Sequence, residues 1–188
     1  FRLLGLKRTI DALERETEIN WLAQHQPQVW AKTAHYLLLS GYLNYRLTGE
    51  FKDSIGSQVG YIPFDYKRQQ WCGKRDWKWH CMPVAQQQLP ELVAVGAVLG
   101  SVTAAAARQT GLMAGTPVIA GAADKACEVL GSGCLDETIG SISCGTTATI
   151  NVCQQRYIEP RPFIPPYSAA LPDYFNSEIQ VFRGFWMV

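Results

Sequence analysis

The sequence predicts a mixed α/β fold, and three observations lead to this prediction. After Pro90, short apolar runs alternate with glycines, a texture typical of strands and helices that follow one another. The apolar run 118–123 ends directly before Asp124 and a second helical run, which is the order strand, acid, helix. Two β-rich runs then flank Gly145, as expected for a β-hairpin.

Composition describes a folded chain with no strong overall charge. Of the 188 residues, 47% are hydrophobic and 18% are charged, which is typical of a packed globular protein. Seventeen Lys and Arg against sixteen Asp and Glu leave a formal charge of +1, so no general field attracts nucleic acid or an anionic membrane. The uncharged, largely apolar stretch 92–107 contains Gly96 and Gly100 and does not predict a membrane span. We expect neither nucleic acid nor membrane as a partner.

The cysteines are predicted to be free thiols. There are six of them without CxxC spacing, and no signal-peptide pattern precedes them, so a cytoplasmic protein is expected. Cys72, His80 and Cys81 are conceivable metal ligands, but their spacing fits no zinc pattern. The sequence predicts no metal site.

The first third of the chain predicts helices. Residues 1–22 carry apolar side chains at helical spacing, and residues 28–49 predict a second helix with Pro27 in its first turn and Gly49 at its C-cap. Gly41 within the second helix is a candidate break. Because the chain begins with Phe1 and not with Met, we expect a piece of a longer protein.

The segment from Phe51 to Trp79 predicts loops and a short helix. It is aromatic and polar, and Pro63 and Gly73 interrupt it. Tryptophans and basic residues that alternate near its end allow base stacking with phosphate contacts. The neutral overall charge favours instead amphipathic side chains that cover the edge of a core. The tryptophans concerned are Trp71, Trp77 and Trp79.

The next segment predicts shorter elements. Residues 93–102 predict an extended stretch, and Thr103 is expected to cap a helix over 104–110 that Gly111 closes. Gly115 and Pro117 then turn the chain into the strand 118–123, and a helix over 125–130 ends in the sequence GSG.

Asp124 is the first candidate for chemistry. Ligands of open α/β sheets collect at the carboxyl ends of strands, where Asp124 is predicted to lie. The N-terminus of a helix favours an ionised carboxylate, which can accept a proton from a hydroxyl or orient it. The alternative is that Asp124 only caps its helix.

The second candidate is the turn formed by Gly145, Thr146 and Thr147. It offers backbone N–H groups without bulky side chains and two hydroxyls, which suit phosphate oxygens. The alternative is an ordinary hairpin turn beside ordinary strand threonines. A carboxylate that faces such a turn across a domain junction would meet the needs of phosphoryl transfer, which depends mainly on positioning.

A family resemblance is carried by the motif PVIAGAADKACEVLGSG and, after it, SISCGTTATI. Together they resemble the segment of FGGY carbohydrate kinases that holds the catalytic base and then a phosphate-binding turn. Upstream, similar landmarks follow in the same order, namely WLAQHQPQVW, YLNYRLTGEFKDSIGS and LGSVTAAAARQTGLMAGTPV. The resemblance covers roughly Ile19 to Ile150.

The resemblance implies an actin-like ATPase (ribonuclease H-like) kinase fold that is incomplete in this chain. Residues 1–134 would form the C-terminal part of the N-terminal, sugar-binding domain, and residues 135–188 the beginning of the C-terminal, ATP-binding domain. The family also needs an N-terminal glycine-containing loop with an aspartate and a later adenosine pocket, and this chain contains neither motif. The chain alone is therefore expected to be inactive.

The activity implied by the resemblance is ATP-dependent phosphorylation of a sugar or polyol hydroxyl, with Mg²⁺. Asp124 would be the catalytic base and contact the substrate together with Lys125, while Gly145, Thr146 and Thr147 would bind the ATP phosphates. Many family members have glycines at the positions of Ala122 and Ala123 and a neutral residue at Lys125, so the identity of the sugar stays open.

A non-enzymatic alternative remains. A truncated, catalytically incompetent kinase fold would act as a structural or partner-binding module. Apolar side chains near the end of the sequence also predict self-association, and hence a homo-oligomer, through Phe182, Phe185 and Trp186.

Overall fold

The computed structural model describes residues 11, 14, 17–59, 63–161, 164–181 and 184. Within these ranges the chain is a mixed α/β structure, as the sequence predicts. The helices are α1 (Glu18–His25), α2 (Pro27–Ala31), α3 (Leu39–Thr48), α4 (Ala104–Thr110) and α5 (Asp124–Gly131), with short 3₁₀ helices at Trp77–His80 and Gln86–Gln88. The strands are β1 (Lys52–Ser54), β2 (Phe64–Asp65), β3 (Gln70–Trp71), β4 (Glu91–Val93), β5 (Val98–Ser101), β6 (Pro117–Ile119), β7 (Gly140–Cys144), β8 (Ala148–Gln154), β9 (Tyr167–Ser168) and β10 (Phe175–Val181).

The described strands form one larger sheet and several small ones. β1 pairs in parallel with β4, while β2 with β3 and β5 with β6 form antiparallel pairs. The larger sheet has the order β7-β8-β10-β9 and is antiparallel throughout. Its buried side chains include polar ones: the Tyr167 hydroxyl, with one proton to share between two acceptors, lies 2.9 Å from Asn151 Oδ1 and 3.0 Å from Glu178 Oε2. These bonds offset part of the cost of burying polar groups.

A first apolar cluster lies beneath the helices of the first half. Its buried members are Ile19, Cys81, Met82, Val84 and Leu89. Trp71 and Trp79 pack against it, and their indole N–H groups donate to the carbonyl oxygens of Pro90 (2.8 Å) and Gly73 (3.0 Å). These two tryptophans therefore lie at the edge of a core with their polar atoms satisfied.

A second apolar cluster joins α5 to the larger sheet. It consists of Val129 near the end of α5, Cys134 after it, Cys153 of β8 and Ala169 after β9, with Tyr174 packed against them. Because Val129 is only 1% exposed, the face of α5 that it occupies is covered by this sheet. The helix is thus held by packing and not by propensity alone.

The prediction of one long helix over residues 28–49 is wrong in one respect. It is two helices, α2 and α3, and the break lies between Ala31 and Leu39 and not at Gly41. In the break, Tyr36 N donates to Gln88 O at 2.7 Å and Gln88 Nε2 donates to Thr33 O at 2.8 Å. These long-range bonds replace helical ones. The predicted closure of α3 by Gly49 is confirmed, with φ at 75°.

Gly41 lies inside α3, where its missing side chain serves packing. A Cβ at this position would lie 2.9 Å from Leu37 Cδ2 and 3.2 Å from Asp53 Oδ2. Both contacts are closer than side chains ordinarily make, so the glycine allows α3 to approach β1. The helix predicted for residues 1–22 is observed from Glu18, and most of its earlier part lies outside the described residues.

Elements of the second half agree with the sequence in several places. Thr103 Oγ1 accepts a hydrogen bond from Ala106 N at 3.1 Å, which is the predicted cap of α4, and Gly111 closes that helix with φ at 78°. The hairpin of β7 and β8 is also confirmed. The strand predicted for 118–123 is shorter, because β6 ends at Ile119.

The last part of the described chain contains strands that the sequence did not predict. β10 pairs with β8 along its full length from Phe175 to Val181. In its sequence, FNSEIQV, the alternating apolar positions are interrupted by Ser177, and Ile179 and Val181 are exposed whereas Asn176 is completely buried. The apolar alternation therefore does not mark the buried face of this strand. Phe182, Phe185 and Trp186, proposed for self-association, lie outside the described residues.

No helix in the described ranges combines the length and apolar character that crossing a bilayer requires.

The thiols provide a test of this fold. Cys127 and Cys144 are exposed, whereas Cys72 and Cys153 are buried, and burial raises the pKa of each of the last two to about 11. Because the thiolate is the reactive form, we expect iodoacetamide at pH 8 to modify the exposed pair at least roughly tenfold faster in the native protein. Peptide mass spectrometry measures the rates, and the denatured protein is the control. Equal rates at Cys72 and Cys127 in the native protein would contradict the fold.

Candidate active site

Asp124 is the first residue of α5 and not its N-cap. The N-cap is Ala123, in extended conformation, and no side chain caps the helix. The exposed Asp124 carboxylate accepts a hydrogen bond through Oδ1 from its neighbour, Lys125 N, at 2.7 Å. The interpretation of Asp124 as a mere N-cap is therefore wrong, and its carboxylate is presented at the positive end of the helix.

The backbone before Asp124 is held by the turn that follows β1. Gly56 forms a parallel bridge with Ala122, and Ala123 N donates to Gly56 O at 2.9 Å. Ser54 Oγ donates to Gly121 O at 2.5 Å. The entry to α5 is thus fixed by residues far away in sequence, although the strand preceding it has already ended at Ile119.

Lys125 connects α5 with the hairpin. Its half-buried side chain places Nζ 2.6 Å from Glu128 Oε2 and donates to Ser143 Oγ at 3.1 Å, near the end of β7. Hydrogen bonds from Lys125, and then from Ser143, hold the pKa of Glu128 below its ordinary value. The contact brings the start of α5 beside the strand that leads into Gly145.

The turn between β7 and β8 is closed by its own backbone. Gly145 N donates to Thr147 O at 3.0 Å, and Thr147 Oγ1 accepts from Gln180 Nε2 of β10 at 3.1 Å. The N–H of Gly145 is therefore engaged within the turn, while Gly145 and Thr146 are exposed residues. On its carbonyl side the turn meets Gly184, where a side chain would overlap the carbonyls of Gly145 and Thr146.

Neither backbone conformation nor contact with the described residues requires a glycine at position 145. Positive φ occurs at other described glycines, such as Gly49 and Gly111, and not at Gly145. A Cβ added at Gly145 would come no closer than 3.9 Å to a described neighbour, Thr147 O. Among the described residues, the glycine instead leaves space beside the turn.

The structure brings most of the predicted site residues around one contact, that of Lys125 with Ser143. Asp124 precedes Lys125, and Gly145 follows two residues after Ser143. Sequence reasoning missed Ser143 and Glu128. Glu128 has a signal in its sequence, because acid and base three residues apart on a helix are neighbours. Ser143 has none, since its role depends on tertiary contact.

The described residues contain no group of three or more His, Cys, Asp or Glu side chains that could hold a metal ion. Cys72 and Cys81, considered above as ligands, are buried, and burial raises the pKa of both thiols, which opposes the thiolate form that binds metal. We therefore assign no metal ligand in this part of the chain.

Comparison with known proteins identifies the family. The family model described as the FGGY family of carbohydrate kinases, N-terminal domain, matches residues 6–131. An uncharacterized sugar kinase of Escherichia coli (strain K12) is 40% identical over 120 residues, which are 60% of this chain and 23% of that protein. A xylulose kinase of Lactococcus lactis subsp. lactis (strain IL1403) is 31% identical over 180 residues, covering 95% of this chain and 34% of that protein.

Solved structures agree on the fold. The crystal structure of xylulose kinase from Rhodospirillum rubrum superposes with a TM-score of 0.79 at 23% identity, covering 89% of this chain and 33% of that one. The fold class is thus that of actin-like ATPases, of which this chain contains a part. The chain belongs to the FGGY family of carbohydrate kinases. It spans about a third or less of the length of the curated relatives named here.

The contact of Lys125 with Glu128 yields a prediction for the site. Replacing Lys125 by Met removes the strongest hydrogen-bond donor to the Glu128 carboxylate, so we expect the Glu128 pKa to rise towards its ordinary value. Carboxyl-detected NMR titration measures it. Lys125→Arg, which keeps a cation, is the matched control and should leave the pKa low. An unchanged Glu128 pKa in Lys125→Met would show that the contact is absent in solution.

Proposed function

We propose that the protein containing this chain transfers the γ-phosphoryl group of ATP to a hydroxyl of a sugar or polyol, with Asp124 as the catalytic base. The observation that carries the proposal is the exposed Asp124 carboxylate at the start of α5, linked to the turn at Gly145 through the contact between Lys125 and Ser143. Membership of a carbohydrate kinase family supports it.

The proposed reaction needs one proton acceptor and one phosphate cradle. As the acceptor hydroxyl oxygen forms a bond to the γ-phosphorus, its proton passes to a carboxylate oxygen of Asp124. The bond between the γ-phosphorus and the oxygen bridging to the β-phosphate breaks, and ADP leaves with that electron pair. Because the transition state is loose, positioning of these groups supplies most of the catalysis.

In this proposal the turn of Gly145, Thr146 and Thr147 contacts the ATP phosphates. The threonine hydroxyls supply donors, and the absence of a side chain at Gly145, whose own N–H is engaged within the turn, lets phosphate oxygens approach them. ATP is used with Mg²⁺, which neutralises phosphate charge in such reactions. The parts of the cleft that would hold the metal and adenosine are not assigned to this chain.

Lys125 is proposed to contact the acceptor together with Asp124. It follows the base directly, and its half-buried side chain is held on α5 by the contact of its ammonium group with Glu128. The acceptor is a sugar or polyol, and the relatives named xylulose kinase make xylulose the first compound to test.

The proposed division places residues 1–134 in the sugar-binding domain and 135–188 in the ATP-binding domain. The family model for the N-terminal domain ends at residue 131, which supports a boundary after α5. The cytoplasm, where ATP is available, is the proposed location.

Replacing Asp124 by Asn tests the base. We expect kcat of the full-length protein to fall about 10³-fold, the effect of removing a general base, with the KM for ATP nearly unchanged. The measurement is phosphoryl transfer to a panel of pentoses, ketoses and polyols, with xylulose first.

A matched control is Asp136→Asn, on the exposed loop after α5. It should retain wild-type turnover. Wild-type turnover in Asp124→Asn would overturn the assignment of the base. Silence of the wild-type full-length protein with every acceptor would instead favour the non-catalytic module.

A second variant, Gly145→Val, tests the phosphate turn. A branched side chain would obstruct the approach of phosphate oxygens, and the loss of about one charge-assisted hydrogen bond should raise the KM for ATP roughly tenfold or more, with the KM for the sugar little changed. Gly73→Val is the control, because Gly73 is exposed and a Cβ there meets no described residue within 4 Å. An unaltered KM for ATP in Gly145→Val would exclude the turn from ATP binding.

A further inference from the structure

Asp53 is a buried carboxylate with no part in the reaction proposed above. It lies on β1 and is 1% exposed. Its two oxygens accept four hydrogen bonds, from Ser40 Oγ (2.9 Å), Asn44 Nδ2 (3.2 Å), Ser54 N (2.8 Å) and Gln58 Nε2 (3.0 Å). Neutral donors from α3, from β1 and from the turn after β1 therefore converge on one charge.

Burying the Asp53 carboxylate costs free energy, and its donors hold it in a fixed geometry. Burial raises the pKa of Asp53, while the four hydrogen bonds act in the opposite direction. Among the described residues no Lys, Arg or His forms an ion pair with it, so these donors are its compensation. A well-packed apolar side chain is often at least as stabilising as a buried charge. Stability alone therefore does not explain why a carboxylate is buried here. The fixed geometry that it gives to its donors does.

The geometry leads directly to the base. Ser54, whose backbone N–H is held by Asp53, donates its hydroxyl to Gly121 O at 2.5 Å and accepts from Gly56 N at 3.1 Å. Gly56 O in turn accepts from Ala123 N at 2.9 Å. A continuous series of hydrogen bonds thus runs from the Asp53 carboxylate to the residue before Asp124.

Gly56 makes this series possible. A Cβ at Gly56 would lie 2.9 Å from Ala122 Cα, Ala122 Cβ and Gly121 O. Two of these three atoms belong to the backbone and cannot move aside without displacing the segment that enters α5. Since Gly56 does not have positive φ, close approach and not backbone conformation requires the glycine.

We infer that Asp53 is a positioning residue for Asp124: through Ser54 and Gly56 it sets the place of the backbone that presents the Asp124 carboxylate. It does not touch the substrate. The inference rests on the proposed function only in taking Asp124 as the base. An aspartate suits this role better than an asparagine. The side chain of Asn has only one acceptor oxygen, and its NH₂ group would face the hydrogen-bond donors that now contact the second carboxylate oxygen.

The test uses Asp53→Asn in the full-length protein. We expect kcat to fall about 10- to 100-fold, the effect of a small misplacement of a catalytic group, while the KM values for ATP and sugar change less than about twofold. Ser54→Ala, which removes the hydroxyl that joins Gly121 to Gly56 but leaves Asp53 in place, should lower kcat in the same way. It also keeps the inference testable if Asp53→Asn does not fold.

A double mutant separates positioning from a general loss of structure. In the Asp124→Asn background the base is absent, so adding Asp53→Asn, or Ser54→Ala, should cause little further loss of kcat. Thr103→Ala is the control, because it removes the cap of α4 and lowers stability without contacting this series of bonds. It should leave kcat unchanged in both backgrounds.

A measurement without turnover complements the kinetics. Hydrogen exchange at the Ala123 amide should accelerate at least roughly tenfold in Ser54→Ala relative to amides of α4, because local opening then costs less free energy. Full kcat in Asp53→Asn and Ser54→Ala, or multiplicative losses in the double mutants, would overturn the inference while leaving the base assigned. Wild-type kcat in Asp124→Asn would overturn the base assignment and the inference together.

Discussion

The arrangement of the candidate site depends on how the chain accommodates the buried carboxylate of Asp53. A charge that is removed from water must be surrounded by donors, and here the donors come from α3, from β1 and from the turn after β1. Each of these pieces is short and would be unstable alone. Asp53, their common partner, holds the turn at Ser54 and Gly56 in place. This turn then binds the backbone that leads into α5.

Helix α5 is the element shared by both halves of the described structure. The residues just before its first turn are held by Gly56, in the turn after β1, and its buried face at Val129 packs with Cys153 of the larger sheet and with Ala169 just after β9. Lys125 adds a polar contact to β7. A helix held at both ends in this way keeps its first residue, Asp124, in a defined place relative to the hairpin turn.

This architecture suits a reaction in which the protein mainly positions its reactants. Phosphoryl transfer through a loose transition state requires a proton acceptor, a phosphate cradle and the exclusion of wrong geometries. The described residues offer candidates for the first two, on elements that the contact of Lys125 with Ser143 joins. The relatives named above are about three or more times longer than the stretch matched here. Their additional length leaves room for the rest of a two-domain cleft.

Local signals in the sequence determined a substantial part of this protein. Thr103 and Gly111 mark the ends of α4, Gly49 closes α3, and the β-rich runs on both sides of Gly145 form the expected hairpin. These features depend on residues close together in the chain, such as a capping hydroxyl or a glycine that adopts positive φ. Asp124 and Gly145 could be selected as candidates for the same reason, because an acid after an apolar run and a glycine within a hairpin are visible without a structure.

Only the tertiary structure decided where these candidates lie and what holds them. The break before Leu39 follows from bonds between Tyr36 and Gln88, and β10 is a strand because β8 lies beside it, although its own sequence is mostly polar. The partnership of Lys125 with Ser143 and the approach of Gly56 to Ala122 join residues whose separation in sequence carries no pattern. Such contacts arise from packing and from the need to satisfy buried polar groups, and these constraints act between distant segments only after the chain has folded.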